Sequence, residues 1–370
     1  MKEELKIRFL SDLIDFKNGK SIKPSSGNIP IYGGNGILGY SEKYNYKNIL
    51  IIGRVGAYCG SIHYHKEKCW VSDNAIAGEV KSDYSIDYLY YLMKSLNLND
   101  RQVGSSQPLL TQGVLNNISV KIYESSQTQQ SIAAVLSALD KKIALNKQIN
   151  ARLEQMAKTL YDYWFVQFDF PDANGKPYKS SGGEMVFDET LKREIPKGWK
   201  PFKLSELVTL STGKEDANFA TEQGIYPFFT CSEKILKCDV YSFDTQAILL
   251  AGNGTFSVKR FTGRFNAYQR TYVLEPKSKN LYPIVYFVII DNVIKFTSGS
   301  RGSIIKFITR GDIENIDIVL PNDIENISFS EVLHTYLLQA ELLEKQNHRL
   351  TQLRDFLLPM LMNGQVSVAE

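Results

Sequence analysis

Apolar and polar residues follow two different rhythms along this chain, and each rhythm comes round twice. The opening part of each round has short runs rich in Ile, Val and Tyr, bounded by Gly, Asn and Ser. Ile49–Ile52, Gly60–Tyr64, Ala75–Val80 and Ile118–Ile122 read as strands. Asp87–Leu96 instead has helical spacing, with Tyr88, Leu89, Tyr91 and Leu92 on one side. Together they predict a mixed α/β globule around a curled sheet. From Gln127 to Phe165 there is neither Gly nor Pro, and apolar residues step by three and four through Ile132, Leu136, Leu139, Ile143, Leu153, Ala157, Leu160 and Trp164. That is a heptad seam, interrupted by Asn146 and Asn150. At ~1.5 Å per residue this helix would span about 58 Å and act as a spacer.

The second round lies roughly 195 residues on, far beyond a solenoid period. Leu10-Ser11-Asp12-Leu13-Ile14 returns as Leu204-Ser205-Glu206-Leu207-Val208, and Gly19-Lys20 as Gly213-Lys214. Ile49–Gly53 returns as Ile248–Gly252, Glu79-Val80-Lys81-Ser82 as Glu275-Pro276-Lys277-Ser278, and Asn117-Ile118 as Asn315-Ile316. The second helix runs Phe329, Leu333, Tyr336, Ala340, Leu343, Asn347, Leu350, Leu353 and Leu357. Asn150 and Asn347 each stand three residues before a matched leucine, so both are expected near the seam, where a buried Asn fixes register at a cost in stability. The alternative is that each helix packs on its own domain. Two matched helices favour mutual antiparallel pairing, with Ile132, Leu136, Leu139, Ile143, Asn150, Leu153, Leu160, Leu333, Asn347, Leu350 and Leu357 at the contact.

The reading is therefore α+β: two similar mixed α/β domains with curled β-sheets, separated by two long helices paired as an antiparallel coiled coil, with pseudo-twofold symmetry. Boundaries fall at 1–126 (first domain), 127–166 (first helix), 167–198 (connector), 199–325 (second domain), 326–363 (second helix) and 364–370 (tail). The connector holds Pro171, Pro177, Pro196 and Ser180-Ser181-Gly182-Gly183, which predicts irregular chain with turns.

Composition narrows the picture modestly. Apolar residues make up 43% and charged residues 22%, ordinary for a globular protein. No apolar run reaches the ~18 residues of a membrane span, and Met1-Lys2-Glu3-Glu4-Leu5-Lys6 lacks the apolar core of a secretory signal. Four cysteines in a chain this long make no disulfide scaffold, so a cytoplasmic protein is expected. The net charge of +3 allows nucleic acid as a partner without requiring it.

Particular segments carry a stronger signal. Ile29-Pro30-Ile31-Tyr32-Gly33-Gly34-Asn35-Gly36, Gly104-Ser105-Ser106-Gln107-Pro108, Ala138–Ile143 and Asn146–Asn150 lie in the first round. The connector adds Trp164-Phe165-Val166, Phe168-Asp169-Phe170-Pro171, Asn174–Val186 and Arg193-Glu194-Ile195-Pro196, and the end adds Leu358–Val366. In this order they resemble the specificity subunit of Type I restriction–modification systems over nearly the whole chain. The resemblance implies two target recognition domains that each read part of a split double-stranded DNA site, with helices as spacer and docking surface. It implies partner methyltransferase (modification) subunits, two of them, that methylate adenine using S-adenosylmethionine. Restriction subunits using ATP and Mg can join them. No cofactor belongs to this chain. Thr230-Cys231-Ser232 replaces the Gly-Gly-Asn-Gly stretch in the second round, and Gly302-Ser303 sits where Gln107-Pro108 would be, which puts the base preference in doubt.

Reading bases requires side chains that offer paired hydrogen-bonding groups, and anchoring phosphates requires cations, hydroxyls and exposed amides. The first domain offers Lys20, Tyr32, Asn35, Arg54, Tyr58, Asn74, Ser105 and Gln107. The second offers Lys214, Asn253, Lys259, Arg260, Arg264, Asn266, Gln269, Arg270, Arg301 and Lys306; Lys259–Arg270 holds four positive charges and no acid. For any one of them the bland reading, a solvated surface charge, remains open.

Catalytic motifs are missing. There is no Gly-x-x-x-x-Gly-Lys-Ser/Thr loop for ATP and no Asn-Pro-Pro-Tyr stretch of an amino-methyltransferase; Gly252-Asn253-Gly254 alone makes no cofactor loop. Glu79-Val80-Lys81 and Glu275-Pro276-Lys277 superficially suit a nuclease but lack a carboxylate cluster. Cys59, His63, His65 and Cys69 have ligand types suited to zinc, yet the spacing is unusual and the second round has no equivalent, so buried cysteines and exposed histidines are expected. The chain is read as a non-catalytic DNA-recognition subunit. An inactive or truncated relative and a coiled-coil protein-interaction scaffold are the competing readings.

Overall fold

The structure, a computed structural model, describes residues 4–101, 109–298, 307–323 and 328–368. It divides into two compact units, Met1–Lys147 with Lys345–Glu370, and Gln148–Glu344. The first unit contains β1 (Lys6–Phe9), α1 (Leu10–Leu13), β2 (Ile14–Asn18), β3 (Ile29–Gly33), β4 (Gly36–Ser41), β5 (Tyr46–Gly53), β6 (Ile62–Val71) and β7 (Ala75–Val80). There follow α2 (Ile86–Ser95), α3 (Gln112–Asn116), β8 (Ser119–Ile122) and the long helix α4 (Ser126–Tyr161), which runs on into the second unit. The connector forms a hairpin, β9 (Met185–Asp188) with β10 (Arg193–Pro196), where irregular chain was expected.

The second unit rebuilds the first. It has β11 (Trp199–Lys203), α5 (Leu204–Leu207), β12 (Val208–Thr212), β13 (Tyr226–Phe229), β14 (Leu236–Cys238), β15 (Phe243–Ala251), β16 (Val258–Ala267) and β17 (Thr271–Pro276). Then come α6 (Leu281–Ser298), α7 (Arg310–Glu314), β18 (Asp317–Pro321) and α8 (Ser328–Met362), which ends in the first unit. The six-stranded sheets have corresponding orders, β2-β7-β5-β6-β3-β4 and β12-β17-β15-β16-β13-β14. Each has one parallel pair, β3 with β6 and β13 with β16. Outside them, β1 pairs with β8 and β11 with β18, both antiparallel.

Period-two packing explains the repeated apolar runs. Leu50 and Ile52 of β5 enter the core shared with α2, while Ile49 and Ile51 enter a second core with Cys69, Val71 and Ala77. Ile248 and Leu250 of β15 divide from Ala247 and Leu249 in the same way, so Ile49–Gly53 corresponds to Ala247–Ala251, one residue earlier than the match to Ile248–Gly252 expected from sequence. A strand buried on both faces reads as a continuous apolar run. The repeated Leu-Ser-Asp/Glu-Leu motif makes a one-turn helix whose acid caps it: the Phe9 N–H donates to Asp12 at 3.0 Å and the Lys203 N–H to Glu206 at 2.7 Å. Lys81 and Lys277 donate from Nζ to the Ser11 and Glu206 carbonyls, and Glu79 pairs with Lys17. The Glu-x-Lys motif is thus a tie between sheet and short helix. Gly19 and Gly213 recur for a steric reason, since a Cβ would lie 2.0 Å from the Ser72 carbonyl oxygen in one unit and 1.9 Å from that of Ala267 in the other.

The long helices serve two masters. Ile132 and Leu136 are buried in a cluster with Leu89 and Leu92 of α2 as well as Leu361 of α8, and Leu333 joins the core of the second unit. Each helix therefore packs on its own domain while pairing. In the first unit Arg354 meets Asp140 at 2.7 Å, and Asn146 donates to Asn347 at 2.9 Å and Gln346 at 2.7 Å. Positions rise on one helix as they fall on the other, so this pairing is antiparallel. In the second unit Asn150 meets Glu344 at 3.2 Å, and Trp164 stacks on Phe329 at 3.8 Å. The buried seam asparagine is Asn146, not Asn150, which is only half-buried. Leu139, Leu153, Leu160, Leu350 and Leu357 are half-buried and Ile143 is buried. After Tyr161, α4 loosens into a π-helical turn, Asp162–Val166, closed by Gln167 N–H to the Asp162 carbonyl at 2.8 Å.

Candidate nucleic-acid interface

In the first unit the loops around the turn 72–74 meet at one place. A Cβ on Gly34 would lie 3.2 Å from the Gly53 Cα, 3.6 Å from the Tyr58 carbonyl oxygen and 3.7 Å from that of Asn74. His63 Nε2 lies 3.2 Å from the Gly34 carbonyl oxygen, and Ser61 donates to the same oxygen. Arg54 N–H donates to the Asn74 carbonyl at 3.0 Å, and Arg54 in turn accepts from Leu110 N–H at 2.9 Å. Lys20 N–H bonds the Val71 carbonyl, and Ser72 N–H bonds that of Tyr32. Lys20, Tyr32, Asn35, Arg54, Tyr58 and Asn74 thus border one loop cluster. Lys20, Asn35, Tyr58 and Asn74 are exposed, Arg54 and Tyr32 half-buried. Burial pushes the Tyr32 phenol pKa up and keeps it neutral. Ser105 and Gln107 lie outside the described residues.

The second unit uses the same frame with other side chains. Gly252 N–H donates to the Arg270 carbonyl at 2.8 Å, and Ile308 N–H to the Gly252 carbonyl at 2.8 Å. A cleft of about 310 Å³ opens there, lined by Asn253, Gln269, Arg270, Tyr272, Phe307 and Arg310 among others. Gln269 donates to Asp216, and its own N–H bonds the Glu215 carbonyl beside Lys214. Lys214, Asn253, Gln269 and Arg270 therefore come together. Phe307 (63% exposed) and Arg310 were not singled out from the sequence. Aligning Asn117 with Asn315 sets Arg310 opposite Gln112, which was not a candidate either, so the repeat alone gave no signal for it.

Strand geometry scatters the remaining candidates. Asn266 is fully buried, its amide donating to the Val240 carbonyl and its oxygen accepting from Ala267 N–H, so it reads no base. Arg260 turns inward: its guanidinium donates to the Leu337 carbonyl at 3.2 Å and to Glu154 at 3.1 Å, and lies 4.5 Å over the Tyr286 ring. With 9% side-chain exposure it is a joint between sheet and helix and cannot reach DNA. Arg264 is exposed but paired with Asp244 at 3.0 Å. Lys259 is half-buried and donates to the Ser232 carbonyl; burial lowers its pKa. The four charges of Lys259–Arg270 are not one footprint, because a ten-residue strand with alternating faces disperses three of them and the fourth, Arg270, lies beyond its end. Arg301 and Lys306 lie outside the described residues.

Cys59 and Cys69 sit in separate cores, one in the cluster shared with α2 and the other in the second cluster. Desolvation raises both thiols, that of Cys69 to about 12. His63 and His65 are half-buried against Tyr32, whose hydroxyl lies 3.2 Å from His65 Nδ1, rather than exposed. The four side chains do not converge, and no metal-holding group of His, Cys, Asp and Glu occurs among the described residues.

The family model for the Type I restriction modification DNA specificity domain matches twice, at residues 2–155 and 196–352. The chain belongs to this family. Specificity subunits are the non-catalytic, DNA-recognising members of their systems. A similar protein is the Type I restriction enzyme EcoDI specificity subunit of Escherichia coli, 44% identical over 181 residues, covering 47% of this chain and 40% of that protein. The match therefore spans about two-fifths of that relative's length. The MjaIX specificity subunit of Methanocaldococcus jannaschii is 26% identical over 319 residues, 77% of this chain and 70% of that protein. The Type I restriction-modification system S subunit from M. genitalium superposes with a TM-score of 0.68 over 97% of this chain and 96% of that chain. At 15% identity that likeness is one of fold.

Proposed function

We propose that this chain recognises a bipartite double-stranded DNA site and directs adenine-N6 methyltransferase subunits to it, with restriction subunits joining the same complex. The observation that carries this reading is the duplication: one sheet frame is built twice, with a polar loop cluster in each copy, in a family of DNA specificity domains. Residues 1–126 and 199–325 would each read one half-site, and 127–166 and 326–363 would serve as spacer and docking helices in the cytoplasm. S-adenosylmethionine, and ATP with Mg, would be held by the partners.

Co-expression with a modification subunit of such a system, followed by sequencing of N6-methyladenine in host DNA, tests the proposal. A split motif with adenine in each half, lost when this chain is deleted, is the expected result. A stable complex without a motif would leave an inactive relative, and the absence of any complex would favour a protein scaffold. The purified chain alone should neither cut nor methylate DNA, and its DNA affinity should fall steeply with salt.

A further inference from the structure

The two loop clusters share a backbone down to single hydrogen bonds. Arg54 N–H to Asn74 O corresponds to Gly252 N–H to Arg270 O, and Leu110 N–H to Arg54 O corresponds to Ile308 N–H to Gly252 O. Val55 bridges Leu109 as Asn253 bridges Phe307. Two residues on stands a threonine cap in both: Thr111 accepts from Val114 N–H and Thr309 from Asp312 N–H, each at 3.2 Å. Asn117 and Asn315 then close the turn onto the carbonyls of Gly113 and Gly311, each at 2.9 Å. A frame held this tightly puts Arg54 at the place of Gly252, Asn74 at that of Arg270, and Gln112 at that of Arg310.

On this common frame the side chains differ in kind. The first unit has an arginine after β5 and an asparagine before β7, whereas the second has a glycine after β15 and an arginine before β17. Neither Arg54 nor Arg270 forms an ion pair among the described residues, and the buried Arg54 Nε has no hydrogen-bond partner there. Arg310 differs, because its Nε is already held by Glu314 at 2.7 Å. Arg54 is half-buried, and holding it there without a carboxylate is costly unless a bound partner supplies acceptors. Arg270 is exposed, lines the cleft and is free to turn toward a ligand. A guanine edge supplies two, O6 and N7, spaced for a guanidinium fork.

We infer that Arg54 and Arg270 are specificity-determining residues, each reading a guanine in a different half-site, and that their displacement on a shared frame makes the two half-sites unlike. This rests on the DNA-recognition reading above. Arg310, tethered by Glu314, contributes charge to the cleft and no base choice.

The test compares N6-methyladenine motifs from cells co-expressing the modification subunit with wild-type chain, R54A, R270A, R270K and R310A. R270A should relax one G·C position in one half-site by about 10- to 100-fold in discrimination and leave the other half unchanged. R54A should do the same in the opposite half. R270K should relax the same position as R270A, because an ammonium keeps the charge but loses the fork. R310A should lower methylation at all sites without changing the motif. If R54A and R270A retain the wild-type motif, or lose methylation evenly at every sequence, these arginines contact phosphate and the inference is overturned. Circular dichroism of each variant separates that result from misfolding. A wild-type chain with no split motif would instead sink the underlying reading, and the inference with it.

Discussion

The two units fasten equivalent sheets to their helices with opposite chemistry. In the first, cation and carboxylate both sit on the helices, Arg354 on α8 and Asp140 on α4, and the globular side adds only the Tyr91 hydroxyl, 2.8 Å from Asp140. In the second, the cation comes from the sheet: Arg260 of β16 reaches Glu154 of α4 and the Leu337 carbonyl of α8, over the ring of Tyr286. Tyr91 and Tyr286 occupy matching helices, α2 and α6. Duplication has kept the joint and changed what makes it. A positive residue in one copy therefore says little about its counterpart, and an arginine that looks like a DNA contact can be a joint instead.

The sharpest way to break this comparison is R260A. It strips the second unit's joint of its cation and its ring contact, and should destabilise that unit by about 2–3 kcal/mol. Hydrogen exchange should rise in α6 and β16 while α2 keeps its protection. Equal loss in both units would mean the joints are not separate. D140A should cost the first unit less, about 1–2 kcal/mol, since Arg354 and Asp140 are partly solvated and keep other interactions. Its exchange signature should appear in α2.

Next in size is the helix seam. Asn146 donates to Asn347, but its own buried Oδ1 has no hydrogen-bond partner among the described residues, so removing both as N146L/N347L should raise the urea midpoint by an amount worth about 1 kcal/mol. Cysteine crosslinks along α4 and α8 should then form in more than one register. N146L alone should destabilise, because the side-chain oxygen of Asn347 loses its donor.

The smallest effect concerns pH. Burial raises the Glu344 pKa, with Arg260 opposing the shift and Glu154 adding to it. Its protonated form is favoured by folding, so this contribution is present below the ordinary glutamate range and is lost as pH rises through the raised folded value. The second unit should gain slightly in stability as pH is lowered from neutral, and E344Q should flatten that gain. A wild-type profile unchanged by E344Q would show the carboxyl is already solvated.

Much of this architecture was legible because burial on both faces leaves unbroken apolar runs, as at Ile49–Ile52, and because long Gly- and Pro-free stretches leave only helix. What escaped was set by partners distant in sequence. β1 carries Ile7 and Phe9 outward, so its pattern hides a strand that exists through pairing with β8. The β9–β10 hairpin buries little beyond Ile195 and lacks the apolar signature of a strand. At the interface, residue type identified Arg54, Asn74, Asn253 and Arg270 as a set, but could not say that Asn266 faces a core or that Arg260 faces a helix. That depends on strand parity and on what covers each face. The Asn146 seam escaped because two asparagines one turn apart look alike until the opposing helix fixes the register.

The π-helical turn at Asp162–Val166 also bears on how the chain can be edited. It amounts to one surplus residue in an otherwise α-helical stretch, and it lets neighbours face one joint, Trp164 against Phe329 and Phe165 against Trp199 at 5.7 Å. Deleting one residue there would return the backbone to regular α-helix without breaking it, but would swing one aromatic ring about 100° out of the joint. The helix thus carries its own spare link: a shortening that is easy for the backbone and costly for the rings, which is reason enough for the surplus residue to stay.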